Sequence, residues 1–546
     1  MYLQSVKTKV GTKHYAYLRL VETFRSQGRI GKRVVANLGN LATINKASLA
    51  HLSERLAQFA GRSIPTKDTI QTLQARHYGE ALAASHLWEQ LNLPAYLSQF
   101  APSGKRIFNF PLAVLVMVLN RLIAPKSKLS VTHWQRKLYL PGLDEANLNY
   151  QHFLRALDAL IPLKQPLEEH LFGRLTDLFS IKLNLVFYDL TSSYFEGVHC
   201  PIATWGYSRD HRPDARQIVL GLLVTDAGFP IAHEVYEGNT ADKTTLSTAI
   251  TTLTQRFQIK RLIFVGDRGL VSEDNLTALS SAGYSYIMAL RKRHCREAQE
   301  LFTGLHARTY QRLANDLWVK ERIQNGLRYV LCFNPQKAPH DAIYRESLLT
   351  RVTPQLEALL HQPKRGRRRT SAGALARASR ILTQHKAQKF FTIGLTSQGT
   401  FFFKRNTHVL QHEETLDGIY LLKTDVTDLS AKSVVEAYKT LCRVESGFRE
   451  IKDFIRLRPI FHRAERRVKA HVFICVLAYL LECMIEERLR QAKLPYSARQ
   501  ALEHLDTLRL VDTKLGKEII RCITKPSPEH RTILNALGVH AIPRIL

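Results

Sequence analysis

An apolar run that empties into a carboxylate constrains this chain more than any other feature. Residues 183–197 read LNLVFYDLTSSYFEG, and Leu183–Tyr188 is largely apolar on both alternate faces. That pattern suits a strand buried on both sides of a sheet. It leads directly into Asp189. An unpaired charge is costly to bury, so Asp189 either meets a cation or caps a turn through its own backbone. The pattern recurs at RLIFVGDRG (261–269), a second short apolar strand that ends in Asp267.

The residues around these runs set the fold class. QIVLGLLVTD (217–226) and PIAHEVYEG (230–238), joined through Asp226-Ala227-Gly228, read as a hairpin. DKTTLSTAITTLTQRF reads as a helix with Asn239 or Thr240 as N-cap. VSEDNLTALSSAG is a second helix, capped by Ser272 and closed by Gly283, and YSYIMAL (284–290) a further strand. A hairpin followed by β-α-β units predicts an α/β domain, a mixed sheet flanked by helices, over residues 181–294.

The third acid is expected from an element packed on that sheet edge. A helix over 436–455 offers Glu436, Glu445, Glu450 and Asp453. Tyr438, Glu445 and Lys452 are seven apart, which is ~20° short of two full turns, so they share one face. Ends of adjacent strands lie ~5 Å apart, and two carboxylates that close repel unless a divalent cation stands between them. A hard, oxygen-seeking ion such as Mg2+ is the natural choice.

Elsewhere the chain reads as a basic β-hairpin segment (1–45), with Arg25, Arg29, Lys32 and Arg33 at its turn, and a helical N-terminal region (46–180). LQARHYGEALAASHLWEQL, FPLAVLVMVLNRLI and NYQHFLRALDAL carry the helical spacing there. Trp88 and Trp134 fit core positions. Residues 295–430 look like an insertion, with a helix near 296–303 and strands at LWVKERI, LRYVLCF and FFTIGL. Helices resume over 431–495, and a basic tail (496–546) reads as helical. In the insertion, Lys364, Arg365, Arg367, Arg368 and Arg369 form the densest basic cluster, either a phosphate contact or a solvated loop.

Charge bears on the partner. Lys plus Arg is 78 and Asp plus Glu 47, a formal net charge of +31. A chain that basic usually meets a polyanion, nucleic acid above all. The longest apolar runs, Val472–Leu481 and Leu112–Leu119, fall short of the ~18 residues of a membrane span, and the N-terminus shows no apolar signal region. Seven scattered cysteines without a CxxC pair argue against a disulfide framework or zinc ribbon and fit a reducing cytoplasm.

Taken together, these residues resemble the DDE transposases of bacterial insertion sequences. They are most similar to the insertion-sequence-four superfamily and its sixteen-thirty-four group. FYDLTSSYFEG resembles the first-Asp segment, FVGDRGL the second, and HEVYEGNTADKTTL the stretch between. The third-acid signature of those enzymes, Tyr-x2-Arg-x3-Glu-x6-Lys, falls on Tyr438, Leu441, Glu445 and Lys452. Leu441 departs from it, and whether Arg443, two residues on, replaces the arginine is left open. The resemblance covers roughly residues 180 to 495 and implies an RNase H-like core interrupted by a largely β insertion domain. The 178 residues between Asp267 and Glu445 match such an insertion. It further implies two Mg2+ ions, with Mn2+ a possible substitute, held by Asp189, Asp267 and Glu445. Tyr438, Lys452, Arg268, Arg443 and the basic cluster would contact DNA, and Trp318 would stack on a flipped base. The implied partners are double-stranded DNA, as terminal inverted repeats and target, and a second copy of the chain. The implied location is the bacterial nucleoid. A catalytically inactive DNA-binding descendant and an RNase H-like nuclease without strand transfer stand as alternatives.

Overall fold

The computed structural model describes residues 1–26, 29–61, 70–100, 108–181, 184–196, 199–290, 311–313, 317–324, 326–360, 370–515 and 518–542. They fall into two compact units, one of residues 1–76, 508–526 and 542–546, the other of residues 77–507 and 527–541.

In the first unit, β1 (Tyr2–Val10), β2 (Lys13–Ser26) and β3 (Arg29–Asn40) form an antiparallel meander. A single hairpin was expected there. The extra strand, YLQSVKTKV, is polar along most of its length and mostly exposed, so it carries no apolar alternation to announce it. The helix Lys46–Phe59 follows, capped by the Asn45 side chain. β4 (Ile70–His77) lies beside β16 (Arg509–Leu515), which pairs with β17 (Glu518–Ile523). Two sequence expectations fail here. LQARH is strand, and the helix assigned to it begins at Gly79. The tail, read as helical throughout, contains a hairpin. Buried Asp512 ties these strands together, accepting from Gln74 at 2.6 Å, Arg76 at 3.3 Å and Arg521 at 2.8 Å. A buried carboxylate needs such donors.

The second unit is mixed α/β and built on a nine-stranded sheet. Its strands are β5 (Leu185–Phe195), β6 (Arg216–Thr225), β7 (Pro230–Glu237), β8 (Ile263–Gly266), β9 (Ser285–Leu290), β10 (Gln311–Arg312), β11 (Trp318–Gln324), β12 (Leu327–Phe333) and β15 (Ile419–Thr424). The order is β10-β11-β12-β15-β9-β8-β5-β6-β7. β5, β8 and β9 run parallel at the centre, and the strands on either side are antiparallel. β6 and β7 form the hairpin expected from the sequence. β5 does not stop at Asp189 but continues to Phe195, because Thr191 to Phe195 keep pairing with β6.

Val186, Tyr188, Leu190, Phe264 and Met288 pack against the helices Asp242–Thr251 and Glu273–Ser281. Ala241 precedes the first of these as N-cap, in place of the expected Asn239 or Thr240, and Ser272 caps the second as expected. Alternation along β5 turns Asp189 and Thr191 to the opposite face. The stretch between β12 and β15 is more helical than expected. The helices Ala338–Leu360 and Ser371–Gln384 share an apolar core with the hairpin β13 (Phe391–Leu395) and β14 (Phe401–Arg405), and β11, β12 and β15 extend the main sheet. The helix Glu465–Gln491 packs on β7 and on the helices Phe110–Ile123 and Tyr150–Leu160. Its 27 residues are long and apolar enough to cross a membrane, yet 89% of its most apolar window is buried within the protein, as in a core helix.

Candidate active site

The parallel register of β5 and β8 sets two acids side by side. Tyr188 pairs with Gly266, so the next residues, Asp189 within β5 and Asp267 just past the end of β8, lie side by side at one level. Asp189 Oδ1 accepts the Leu190 N–H at 2.8 Å, but β5 runs on to Phe195, so there is no turn for Asp189 to cap. Glu445 comes from the helix Cys442–Arg449, which packs against β5. The expected continuous helix is in fact three segments, Ala431–Thr440, Cys442–Arg449 and a wide π-turn over Glu450–Phe454. Hydrogen bonds tighten at Leu441, whose N–H reaches Tyr438 O at 3.0 Å, and widen where the Ile455 N–H reaches Glu450 O at 2.9 Å. Tyr438, Glu445 and Lys452 meet different partners along this path.

Asp189, Asp267 and Glu445 line one cavity of about 410 Å3. Burial pushes the Asp189 carboxyl up to about 7, and the negative charges of Asp267 and Glu445 push the same way, against the Leu190 N–H and Arg209. Without a counter-charge, the site thus favours a proton on Asp189 near neutrality. Three carboxylates of this kind fit a hard divalent cation, whose charge would replace that proton. Tyr438 Oη lies 3.4 Å from Asp267 Oδ1, and burial and the Asp267 charge raise its pKa, so the phenol stays protonated and donates. Among the described residues, the set of three metal-capable side chains whose ligand atoms all lie within 4.8 Å of one another is elsewhere: His77, Glu80 and Asp506.

Lys452, expected to hold a phosphate, is committed to the protein. Its Nζ donates to Thr191 Oγ1 at 2.7 Å, the Ser192 carbonyl at 2.6 Å and Asp210 Oδ1 at 2.8 Å. Arg458 holds the other Asp210 oxygen at 2.6 Å. Burial raises the Asp210 pKa, but Lys452 and Arg458 outweigh it and hold the carboxyl below its usual range. Burial lowers the Lys452 pKa, with Asp210 opposing. Arg209 pairs with Asp242 at 2.7 Å, and both line the cavity. A Cβ on Gly269 would fall 2.7 Å from Asp242 Oδ2, so only glycine lets that carboxylate close on the turn after Asp267. The sequence reading missed Arg209, Asp210, Asp242 and Arg458. The available signal was the dense alternation of charge in SRDHRPD (208–214) between β5 and β6.

The remaining candidates lie outside the carboxylate cavity, Arg268 next to it. Arg268 lines a neighbouring cavity of about 710 Å3 that shares Asp267 and Glu445 and includes Tyr438. The Arg443 guanidinium donates to the Asp226 carbonyl in the β6–β7 turn. Leu441, which stands at the signature's arginine position, is buried. Trp318 is half-buried on β11, with the Arg312 guanidinium 5.9 Å from its ring, outside the carboxylate cavity. Lys364, Arg365, Arg367, Arg368 and Arg369 lie outside the described residues, as does the helix expected near 296–303. His233 is buried against Glu168 at 2.9 Å, and His471 faces the Leu457 carbonyl at 2.9 Å, so both are packing residues.

Comparison with known families follows the same segments. A model of the transposase DDE domain matches residues 184–481, and a model of the IS1634 family transposase N-terminal domain matches residues 3–69. Among solved structures, the piggyBac transposase synaptic complex with hairpin DNA is similar at 10% identity and a TM-score of 0.37, over 81% of this chain and 81% of that one. The Mos1 transposase paired-end complex with left transposon end is similar at 13% identity and a TM-score of 0.15, over 44% of this chain and 72% of that one. No curated protein matches the chain.

Proposed function

Because the chain belongs to the DDE transposases, within the IS1634 group, we propose that it cuts DNA at the ends of an insertion sequence and joins the freed 3′-OH to target DNA by in-line phosphoryl transfer. One observation carries this reading: Asp189, Asp267 and Glu445 reach one cavity from three separate elements. The order β7-β6-β5-β8-β9, antiparallel then parallel, supports an RNase H-like core with the first two acids on its adjacent central strands.

The three carboxylates would hold the divalent ions, two Mg2+ or Mn2+ in their place. Bound there, such ions activate the attacking oxygen and stabilise charge on the leaving one. The chain itself supplies position. Asp189 would hold a cation as its carboxylate, the ion's charge taking the place of the proton that burial favours. Tyr438 stays protonated and steadies Asp267 by its hydrogen bond. Arg209 and Arg458, each paired with an aspartate, stand on the cavity wall as hydrogen-bond donors, where non-bridging phosphate oxygens would lie. Lys452 acts from beneath, fastening the π-turn to β5 through Thr191 and Ser192. The net charge of +31 supports a DNA partner, engaged as paired element ends by two copies of the chain.

The test uses DNA carrying the sequences that flank the gene. With Mg2+, the wild-type chain is expected to release element ends whose 3′-OH joins a second plasmid. Asp267→Asn and Glu445→Gln are each expected to lower cleavage by roughly a hundredfold or more, with DNA binding retained. Cleavage by Asp267→Asn at the wild-type rate would overturn the site. Cleaved ends that never join target DNA would leave a nuclease.

A further inference from the structure

The connection between β5 and β6 carries two large aromatic side chains into solvent. Trp205 is 60% exposed and Tyr207 71%, whereas Trp88 and Trp134 are buried and Trp318 is half-buried. Exposing an indole forgoes one of the largest apolar burials available to a side chain. A flexible loop would let such a ring fold back onto the protein. This one is clamped on both sides of Trp205. The Thr204 and Gln217 backbones exchange hydrogen bonds at 3.1 and 2.7 Å, the Gly238 N–H donates to the Ile202 carbonyl at 3.2 Å, and the Asn239 N–H donates to Thr204 Oγ1 at 3.0 Å. Gly206 and Gly238 approach so closely that a Cβ on Gly206 would fall 1.8 Å from the Gly238 carbonyl oxygen. A Cβ on Gly238 would fall 2.0 Å from the Gln217 carbonyl oxygen. The indole is held outward on a fixed backbone.

The register gives the distance to the carboxylates. Gln217, bridged to Thr204, pairs with Tyr194 on β5, five residues beyond Asp189. At the strand rise that is roughly 17 Å along β5, and Thr204 lies two strands across from it, a further ~10 Å sideways, so the span is a few nucleotides. Planar groups occupy the interval. The Tyr194 ring has the Arg212 guanidinium at 4.8 Å and the Arg458 guanidinium at 5.2 Å, and the Arg209 guanidinium is 5.9 Å from the Tyr207 ring. Arg209 is paired with Asp242, Arg212 with Asp214 and Arg458 with Asp210. Their charges are therefore largely balanced, and what this stretch offers is flat surface more than free positive charge. Two exposed rings on a fixed backbone, with half-buried planar groups between them and the carboxylates, suit the faces of nucleobases.

We infer that Trp205 and Tyr207 form a stacking platform for unpaired bases of the DNA strand that runs into the carboxylate cavity. The inference rests on the proposed function and adds to it the residues that take the bases beside the cut. Stacking on a π-face is tolerant of sequence, so the platform would serve any base.

The full chain, free of divalent metal, is titrated at one salt concentration with a single-stranded oligothymidylate and with a blunt duplex of equal length. Tryptophan emission is expected to be quenched by the single strand. Trp205→Ala is expected to weaken single-strand binding about tenfold and leave duplex binding within about twofold, with Tyr207→Ala acting in the same direction. Trp205→Phe, which keeps a π-face, is expected to restore most of the single-strand affinity. Equal single-strand affinity in Trp205→Ala and the wild type overturns the platform, as does an equal loss on single strand and duplex. A wild-type chain that binds neither DNA counts against the proposed function itself.

Discussion

Asp189, half-buried on the cavity wall, and Glu482, buried, are both carboxyls that burial pushes upward in pKa. Burial pushes the Glu482 carboxyl up to about 8, and Glu450 and Glu486 add to the rise against Arg499. Nothing about Glu482 suggests a ligand role. It lines a cavity with Glu450, Glu486 and Arg499, and Arg499 is already paired with Glu450. A carboxyl whose folded pKa is raised contributes stability that is fully present below its unfolded value, near 4.5, and lost as pH rises toward 8. Glu482→Gln should therefore gain stability on the wild type as pH rises from about 5 to 8, reaching on the order of a few kcal/mol at the upper end. Parallel melting curves against pH would refute it. At this scale the sequence was readable where the signal is local. A strand that runs into an acid is visible in LVFYD and in IFVGD. The partner of Lys452 was not visible, because Asp210 lies 242 positions away and competes with every other acid in the chain.

The elements explain why Lys452 faces inward. The third-acid helix tightens at Leu441 and widens over Glu450–Phe454, which departs from the uniform seven-residue alignment assumed for one straight helix. Tyr438 and Glu445 still reach the carboxylate side, while Lys452 drops onto β5. Asp210 links that turn to the β5–β6 connection through two ion pairs. Removing its charge leaves a largely buried ammonium, so Asp210→Asn should cost about 3 kcal/mol in urea denaturation. In a double-mutant cycle, Asp210→Asn with Lys452→Met should lose clearly less than the sum of the single changes; simple additivity would show that the pair is not coupled. The element types of the catalytic region were legible because their periodicity is clean. β4 was not, since LQARH fits a helix locally and becomes strand only beside β16, more than 430 positions along the chain. In the insertion the departure runs the other way. Its strands were legible, whereas the helix Ala338–Leu360 buries only Leu349, Val352 and Leu356 among its 23 residues and so carries little apolar stripe.

At the scale of the whole molecule, the sheet decides the chemistry. Parallel pairing of β5 with β8 brings together two acids 78 positions apart, and the helix after β15 adds the third. The mixed sheet was foreseen from the order hairpin, helix, strand, helix, strand. The division into two units was not, because residues 1–76 are completed by residues 508–526 at the other end of the chain. The central claim is that Asp189, Asp267 and Glu445 hold divalent metal, and the structure contains a competing set in His77, Glu80 and Asp506. Calorimetric titration of Mn2+ into the metal-free chain separates them. Binding is expected in the wild type and in His77→Ala, and its loss in Asp189→Asn, Asp267→Asn and Glu445→Gln. Wild-type binding in the three acid variants, with loss in His77→Ala, would contradict it.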